Sequence, residues 1–197
     1  MRSFATMSKK QKLLLLAIIS VLGLLYTAFF VKTFIPVEEK FSSSNLLSEV
    51  LKKETSLSNL KKDNEKKIIW FEKENQKTKT ALVYIPGFSA TRKEIYPVVE
   101  SLGKELKANV FLSRFAHHGQ GADEYKNIKA QEFFSTVLEA YEIGKEIGEE
   151  VVFVGTSTGA TMITQLDFWN KKMKGMVLIS PAFKIEPWAT ELLASPL

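Results

Sequence analysis

The chain has 197 residues, 45% of them apolar and 25% charged, so it can bury one substantial core but not two ordinary domains. The absence of cysteine excludes disulfides and thiolate metal sites. The formal net charge of +5 is typical of some nucleic-acid-binding proteins, but residues 68–197 hold 15 basic and 16 acidic side chains. The positive charge therefore belongs to the N-terminal region, and we expect no nucleic-acid partner.

The first 12 residues are basic, and an apolar stretch of 19 uncharged residues follows from Leu13 to Val31. A helix of that length rises about 28 Å, roughly the thickness of the hydrocarbon core of a bilayer. The preceding positive charge predicts a cytoplasmic tail over 1–12, an uncleaved transmembrane anchor over 13–31 and an extracytoplasmic location for the rest of a single-pass membrane protein. A cleaved signal peptide is the alternative, although no A-x-A-like cleavage site follows the stretch.

Residues 32–67 are rich in Ser, Lys, Glu and Asn, which is typical of a polar stalk. Within them, Leu46, Leu47 and Val50 fall at helical spacing, which allows one short amphipathic helix. A helix lying on the membrane surface is the alternative interpretation of this pattern. We predict that the folded domain occupies residues 68–197.

From residue 68 onward, short apolar runs alternate with amphipathic helical patterns. The runs predicted as strands are IIWF, ALVYIP, NVFLSRF, VVFVG and GMVLIS. Thr91 and Glu94 have the spacing of a capping box at the start of one helix, and a longer helix is predicted over about 130–148. Continuously apolar strands that alternate with helices indicate an α/β fold, with a mostly parallel sheet covered by helices on both faces.

The run VVFVG ends in Gly155-Thr156-Ser157-Thr158-Gly159, where the next helical pattern begins. This pentapeptide fits G-x-S-x-G in the strand–turn–helix context of a nucleophile elbow, which holds a serine in a strained conformation above the sheet edge. Gly155 and Gly159, two residues either side, pass close to the serine, so we expect neither position to accept a side chain. The helix start would offer free N–H groups to a developing oxyanion. A structural serine in a tight turn is the alternative.

Four segments, YIPGFSAT, AHHGQG, VGTSTGAT and VLISPAF, resemble in order and spacing those of the α/β-hydrolase superfamily, in particular its membrane-anchored carboxylesterases and lysophospholipase-like serine hydrolases. The resemblance covers about residues 68–183. It implies an α/β-hydrolase fold, small-molecule or lipid ester substrates and an acyl-enzyme on Ser157. It also implies an oxyanion hole formed by the backbone N–H groups of Phe88 and Thr158, unless Pro86-Gly87 only terminates a strand.

His117 and His118 are the only histidines, and both precede Ser157, whereas the resemblance implies the order serine, acid, histidine. We therefore interpret both as structural, and we expect no metal and no other cofactor. The acid and histidine of the resemblance would follow later strands than this sequence holds, with Glu186 as a minor alternative for the acid. We thus expect an incomplete, truncated hydrolase domain that ends after about the sixth strand of the family.

These features predict a serine hydrolase-like protein that acts on carboxylic esters and is impaired as the chain stands, because a serine without its imidazole is a poor nucleophile. A peptidase or acyltransferase can use the same fold. A non-catalytic hydrolase-like module that binds a ligand or partner is the alternative from another functional class. The missing acid and base favour that module, and the strained elbow opposes it.

Overall fold

The computed structural model describes residues 7–34, 41 and 45–183. The chain divides into two compact units, Met1–Val37 and Glu38–Leu197. In the first unit, helix α1 spans Lys9–Phe34. Its segment Lys9–Thr27 has the length and hydropathy of a membrane span, criteria that a signal sequence near an N-terminus also meets. The apolar stretch is therefore helical, and both interpretations of it stand.

Among the described residues, the second unit contains a five-stranded sheet and four α-helices. The strands are β1 (Lys67–Ile69), β2 (Thr78–Ile85), β3 (Asn109–Leu112), β4 (Gly148–Thr156) and β5 (Gly175–Ile179), and the helices are α2 (Leu46–Thr55), α3 (Val98–Glu105), α4 (Ala130–Ile147) and α5 (Thr158–Ile163). Two short 3-10 segments, Ala122–Asn127 and Thr164–Trp169, complete the regular structure of the described part.

The sheet has the strand order β1-β3-β2-β4-β5. Strand β1 pairs antiparallel with β3, and the other four strands are parallel. The prediction of an α/β fold with a mostly parallel sheet is confirmed. In the register of β2 and β4, Ile85 lies beside Gly155, so these two strands end together at the carboxyl edge of the sheet.

The central strand β2 is buried on both faces, which explains its continuously apolar sequence. Ala81, Val83 and Ile85 belong to the core on the face covered by α2, α4 and α5. Leu82 and Tyr84 belong to the opposite core, which includes residues of α3. Because side chains alternate across a strand, one apolar run supplies both cores, and each fully buried large side chain contributes about 1.5–3 kcal/mol to stability.

Helix α2 lies in the segment predicted as a polar stalk, within the compact unit that begins at Glu38. Leu46 and Val50 are buried in the core beside α4, so the apolar side of this helix faces protein. Glu54 is also buried, and its carboxylate accepts hydrogen bonds from Arg114 Nε (3.0 Å) and Nη2 (2.6 Å). A bidentate guanidinium provides the partner that a buried carboxylate requires.

The capping box predicted from Thr91 and Glu94 is wrong, because helix α3 begins only at Val98. Thr91 Oγ1 instead donates to Asn64 Oδ1 (2.9 Å), a contact across the fold. The Glu94 carboxylate instead accepts hydrogen bonds from the loop after β2 and from Tyr84.

Candidate active site

Ser157 alone makes the turn between β4, which ends at Thr156, and α5, which begins at Thr158. Its φ is 49° and its ψ is −114°, a backbone conformation that costs a residue with a side chain about 1–3 kcal/mol. The surrounding backbone holds it there: Ser157 N–H donates to Ile179 O (2.9 Å), and Ser157 O accepts from Thr161 N–H (3.1 Å). The serine side chain itself is partly exposed.

The two glycines of the elbow lie where no side chain fits. A Cβ on Gly155 would lie 2.8 Å from Ala160 N and would meet the side chain of Ile163. A Cβ on Gly159 would overlap the carbonyl oxygens of Ile85 and Pro86. The restriction thus comes from α5 and from the end of β2, whereas the sequence analysis attributed it to the serine. Close contact between two backbones is the physical reason for glycine at position 159.

The loop Pro86-Gly87-Phe88 follows β2 and lies against the elbow, since the Cβ position of Gly87 is 3.5 Å from Ser157 Cβ. The backbone N–H of Phe88 has no hydrogen-bond partner among the described residues. Thr158 N–H belongs to the first residue of α5 and so has no partner within the helix. The two N–H groups predicted as oxyanion donors therefore belong to adjacent segments at one sheet edge.

A partly buried chain of polar groups, which ends at the exposed residue Glu94, connects these two segments. Glu94 Oε2 accepts hydrogen bonds from Gly87 N–H (2.8 Å) and from Tyr84 OH (2.7 Å). The Tyr84 hydroxyl is in turn 3.2 Å from Thr156 Oγ1, directly before the serine. Burial, together with the neighbouring Glu94 carboxylate, raises the pKa of Tyr84 above its ordinary value, so this phenol keeps its proton at neutral pH. These hydrogen bonds were not predicted from the sequence, because the spacing of Glu94 from Thr91 indicated a local capping role.

His118 is fully buried among aromatic rings, with centroid distances of 5.1–6.0 Å to those of Phe88, Phe115, Tyr125 and Phe133. Its Nδ1 is 2.9 Å from Ala116 O, and its Nε2 has no hydrogen-bond partner in the part of the chain that the structure describes. Burial lowers the pKa of His118, and the positive charge of Arg114 adds to that effect. A neutral, packed ring agrees with the structural interpretation of this histidine.

His117 is held between two carboxylates, with Nδ1 3.3 Å from Glu124 and Nε2 3.3 Å from Glu132. Both ring nitrogens are therefore engaged away from Ser157. Over residues 45–183, neither histidine forms a hydrogen bond with the serine. Glu186, the alternative acid, lies outside the described residues.

An apolar cleft of about 1040 Å³ opens beside Phe88. Its lining includes Phe88, Ala90, Tyr125 and two lysines, Lys61 and Lys93. A second cavity, of about 480 Å³, surrounds the buried pair of Arg114 and Glu54 and is lined mainly by charged and polar side chains. Within the described ranges, no three His, Asp or Glu side chains are grouped to hold a metal ion.

No family model matches the chain, and no curated protein does. A solved structure of the metagenome-derived lipolytic enzymes LipS and LipT matches with a TM-score of 0.59 and 15% identity, over 69% of this chain and 53% of that one. Est1E from Butyrivibrio proteoclasticus with bound ferulic acid gives a TM-score of 0.49 and 16% identity, over 59% and 48%. The chain thus spans about half the length of these structures. At 15% identity the first similarity shows the fold alone, so the described part of this chain has an α/β fold like that of the solved lipolytic enzyme.

Proposed function

We propose that this protein is a serine hydrolase-like enzyme that cleaves carboxylic esters through an acyl-enzyme on Ser157. The observation that supports the proposal is the elbow, in which Ser157, a partly exposed residue with a φ of 49°, forms the turn at the carboxyl edge of a parallel sheet. The backbone N–H groups of Phe88 and Thr158 are the proposed oxyanion donors. Each donor of this kind contributes about 2.7–4 kcal/mol to the stabilisation of the transition state.

In the proposed reaction, Ser157 Oγ attacks the carbonyl carbon of the ester and loses its proton to a base. The alcohol leaves with a proton, and water then releases the carboxylic acid and restores the serine. Neither described histidine is bonded to Ser157, so we expect the 197-residue chain to acylate slowly. An oxyanion hole without a histidine retains about 10³–10⁴-fold catalysis over water.

The proposed substrates are small-molecule or lipid esters, because Phe88, Ala90 and Tyr125 give the cleft an apolar surface beside its polar and charged lining residues. We further propose that α1 anchors the protein in a membrane through Leu13–Val31. The basic residues before this segment favour a cytoplasmic N-terminus and an extracytoplasmic hydrolase domain.

A fluorophosphonate probe tests the nucleophile directly, because it forms a stable covalent adduct with an activated serine. The full chain is expected to gain the adduct on Ser157, and added imidazole is expected to accelerate the reaction by supplying a base. Ser157→Ala abolishes labelling, whereas Ser101→Ala, an exposed serine on α3, leaves it unchanged. Labelling of folded Ser157→Ala protein at the wild-type rate would contradict the proposal.

A non-catalytic binding module is the second candidate function. The engagement of both histidines away from Ser157 favours it. For such a module, the folded chain stays unlabelled even with imidazole, while an ester ligand binds and is recovered intact.

A further inference from the structure

We propose that Glu94 is a positioning residue for the oxyanion hole, which with Tyr84 holds the loop after β2 in register with the nucleophile elbow. The inference rests on the proposed function, since it concerns the two N–H groups assigned there to the oxyanion. It adds a residue outside the G-x-S-x-G segment to the machinery of the same site.

A single carboxylate oxygen joins the two donor segments. Glu94 Oε2 accepts from Gly87 N–H at 2.8 Å, and Gly87 directly precedes Phe88, the first proposed donor. The same oxygen accepts from Tyr84 OH at 2.7 Å. Because the Tyr84 proton goes to Glu94, Thr156 Oγ1–H donates to the Tyr84 oxygen at 3.2 Å. Thr156 precedes Ser157, so the chain of hydrogen bonds extends from one donor segment to the other.

The Glu94 carboxylate accepts a hydrogen bond from only one of two successive N–H groups of the loop. Gly87 N–H is bonded to Glu94, and Phe88 N–H has no partner among the described residues. The hydrogen bond from Gly87 N–H to Glu94 Oε2 fixes the orientation of the peptide plane before Phe88. Without this acceptor, Gly87 N–H loses its partner in a partly buried loop, and the plane is free to rotate.

Gly87 separates the carboxylate from the serine. A Cβ at this position would lie 2.8 Å from Glu94 Oε1 and 3.5 Å from Ser157 Cβ. Glu94 therefore acts through the loop, and its geometric contribution is a hydrogen bond that a neutral acceptor can also make. A negative charge this close to a developing oxyanion is unfavourable, so the charge itself is not the useful property.

The test is the rate of fluorophosphonate labelling of the full chain, resolved into the maximal inactivation rate kinact and the probe affinity KI, with imidazole added to every sample. Glu94→Ala is expected to lower kinact by about 10²-fold, as removal of one oxyanion donor does, with KI nearly unchanged. Glu94→Gln keeps an oxygen acceptor and is expected to stay within about threefold of wild type. All variants are compared below their thermal unfolding midpoints, so a loss of stability alone leaves kinact unchanged.

If Glu94→Ala does not fold, Tyr84→Phe is the variant that tests the inference. It removes the Tyr84–Glu94 bond and spares the Gly87 bond, with an expected three- to tenfold loss of kinact, about the value of one hydrogen bond. The inference is overturned if folded Glu94→Ala has the kinact of the wild type. If Glu94→Ala is unfolded, a wild-type kinact for Tyr84→Phe overturns it. A Glu94→Gln variant whose kinact is as low as that of Glu94→Ala also overturns the inference. Labelling that persists in Ser157→Ala overturns the proposed function instead, which separates the two failures.

Discussion

The serine elbow and the histidine loop, residues 115–119, make similar turns and treat their polar side chains differently. Both follow a parallel strand of the sheet, and both place a non-glycine residue at positive φ, Ser157 at 49° and His117 at 63°. At the elbow, backbone hydrogen bonds hold the turn and the hydroxyl stays partly exposed. In the histidine loop, carboxylates and aromatic rings engage both imidazoles.

Backbone hydrogen bonds hold both turns, including one from His118 N–H to Phe115 O (3.2 Å) in the histidine loop. The difference is that the histidine loop also uses its side chains as contacts, and this leaves them less available for chemistry. His117 and His118 are chemically more versatile than a serine, but their ring atoms serve the packing of the loop. Four variants test this comparison, from the largest expected effect to the smallest.

Breaking the buried ion pair beneath the histidine loop has the largest expected effect on stability. Arg114 bonds Glu54 and also donates to Phe115 O (3.1 Å) and His118 O (2.8 Å). Glu54→Ala leaves this guanidinium buried and without its carboxylate, and we expect a loss of about 3–5 kcal/mol in the free energy of unfolding, measured with urea.

The control for that variant is Lys93→Ala, which removes an exposed pair with Asp63 and is expected to leave the free energy of unfolding nearly unchanged. If the two variants are equally stable, α2 contributes little to the histidine loop.

The Gly159→Ala variant tests the backbone contact at the elbow. The added Cβ would overlap two carbonyl oxygens at the end of β2, so the elbow must shift. We expect a loss of about 1–3 kcal/mol in stability and about 10²-fold in the rate of fluorophosphonate labelling, since a displacement of about 1 Å has that effect on a reacting group. Gly175→Ala has open space at its Cβ and is the matched control. Unchanged labelling of Gly159→Ala would show that the close contact is dispensable.

The buried ring of His118 predicts a pH dependence of stability. Because burial lowers the pKa of His118 below its ordinary value of 6.5, the unfolded chain binds the proton more tightly than the folded one. The stability that the neutral ring contributes is complete above pH 6.5 and is lost as the pH falls below that value, by up to about 1.4 kcal/mol per pH unit. His118→Gln should flatten the dependence of the unfolding free energy between pH 7.5 and 5.5. Parallel curves for wild type and variant would exclude this contribution.

Substitution of His117 has the smallest expected effect on stability and on labelling. The His117 ring is partly exposed and bonds only Glu124 and Glu132 within the described part of the chain. We expect His117→Ala to change stability by about 1 kcal/mol or less and to leave the rate of labelling at Ser157 unchanged. A collapse of labelling in this variant would identify His117 as the base and reverse the comparison.

The sequence predicted the sheet well because all five strands contain apolar runs and the central strands β2, β3 and β4 are largely buried, whereas β1 and β5 are not. All five predicted runs overlap strands of the structure. The antiparallel pairing of β1 with β3 was not predicted, since strand partners are set by tertiary contacts and not by local composition. The helix predicted after Ser157 continues as α5 for six residues and then becomes a 3-10 segment.

The residues that the sequence analysis missed are charged and have distant partners. Glu54 was placed in a solvated stalk, although Arg114, 60 positions further on, makes its burial possible. Glu94 was assigned to a capping box, because Thr91 offered a plausible local partner and Tyr84 and Gly87 did not. The positive φ at Ser157 was predictable, since G-x-S-x-G constrains the backbone locally.

Phe88 combines two separable properties in one residue. Its backbone N–H is the proposed oxyanion donor, and every amino acid except proline supplies the same group. The residue is 55% exposed, and it lines the cleft. Substitutions at position 88 can therefore reshape the cleft while the hydrogen bond from Gly87 N–H to Glu94 remains, although they also change the packing of the Phe88 ring against His118 and Phe133.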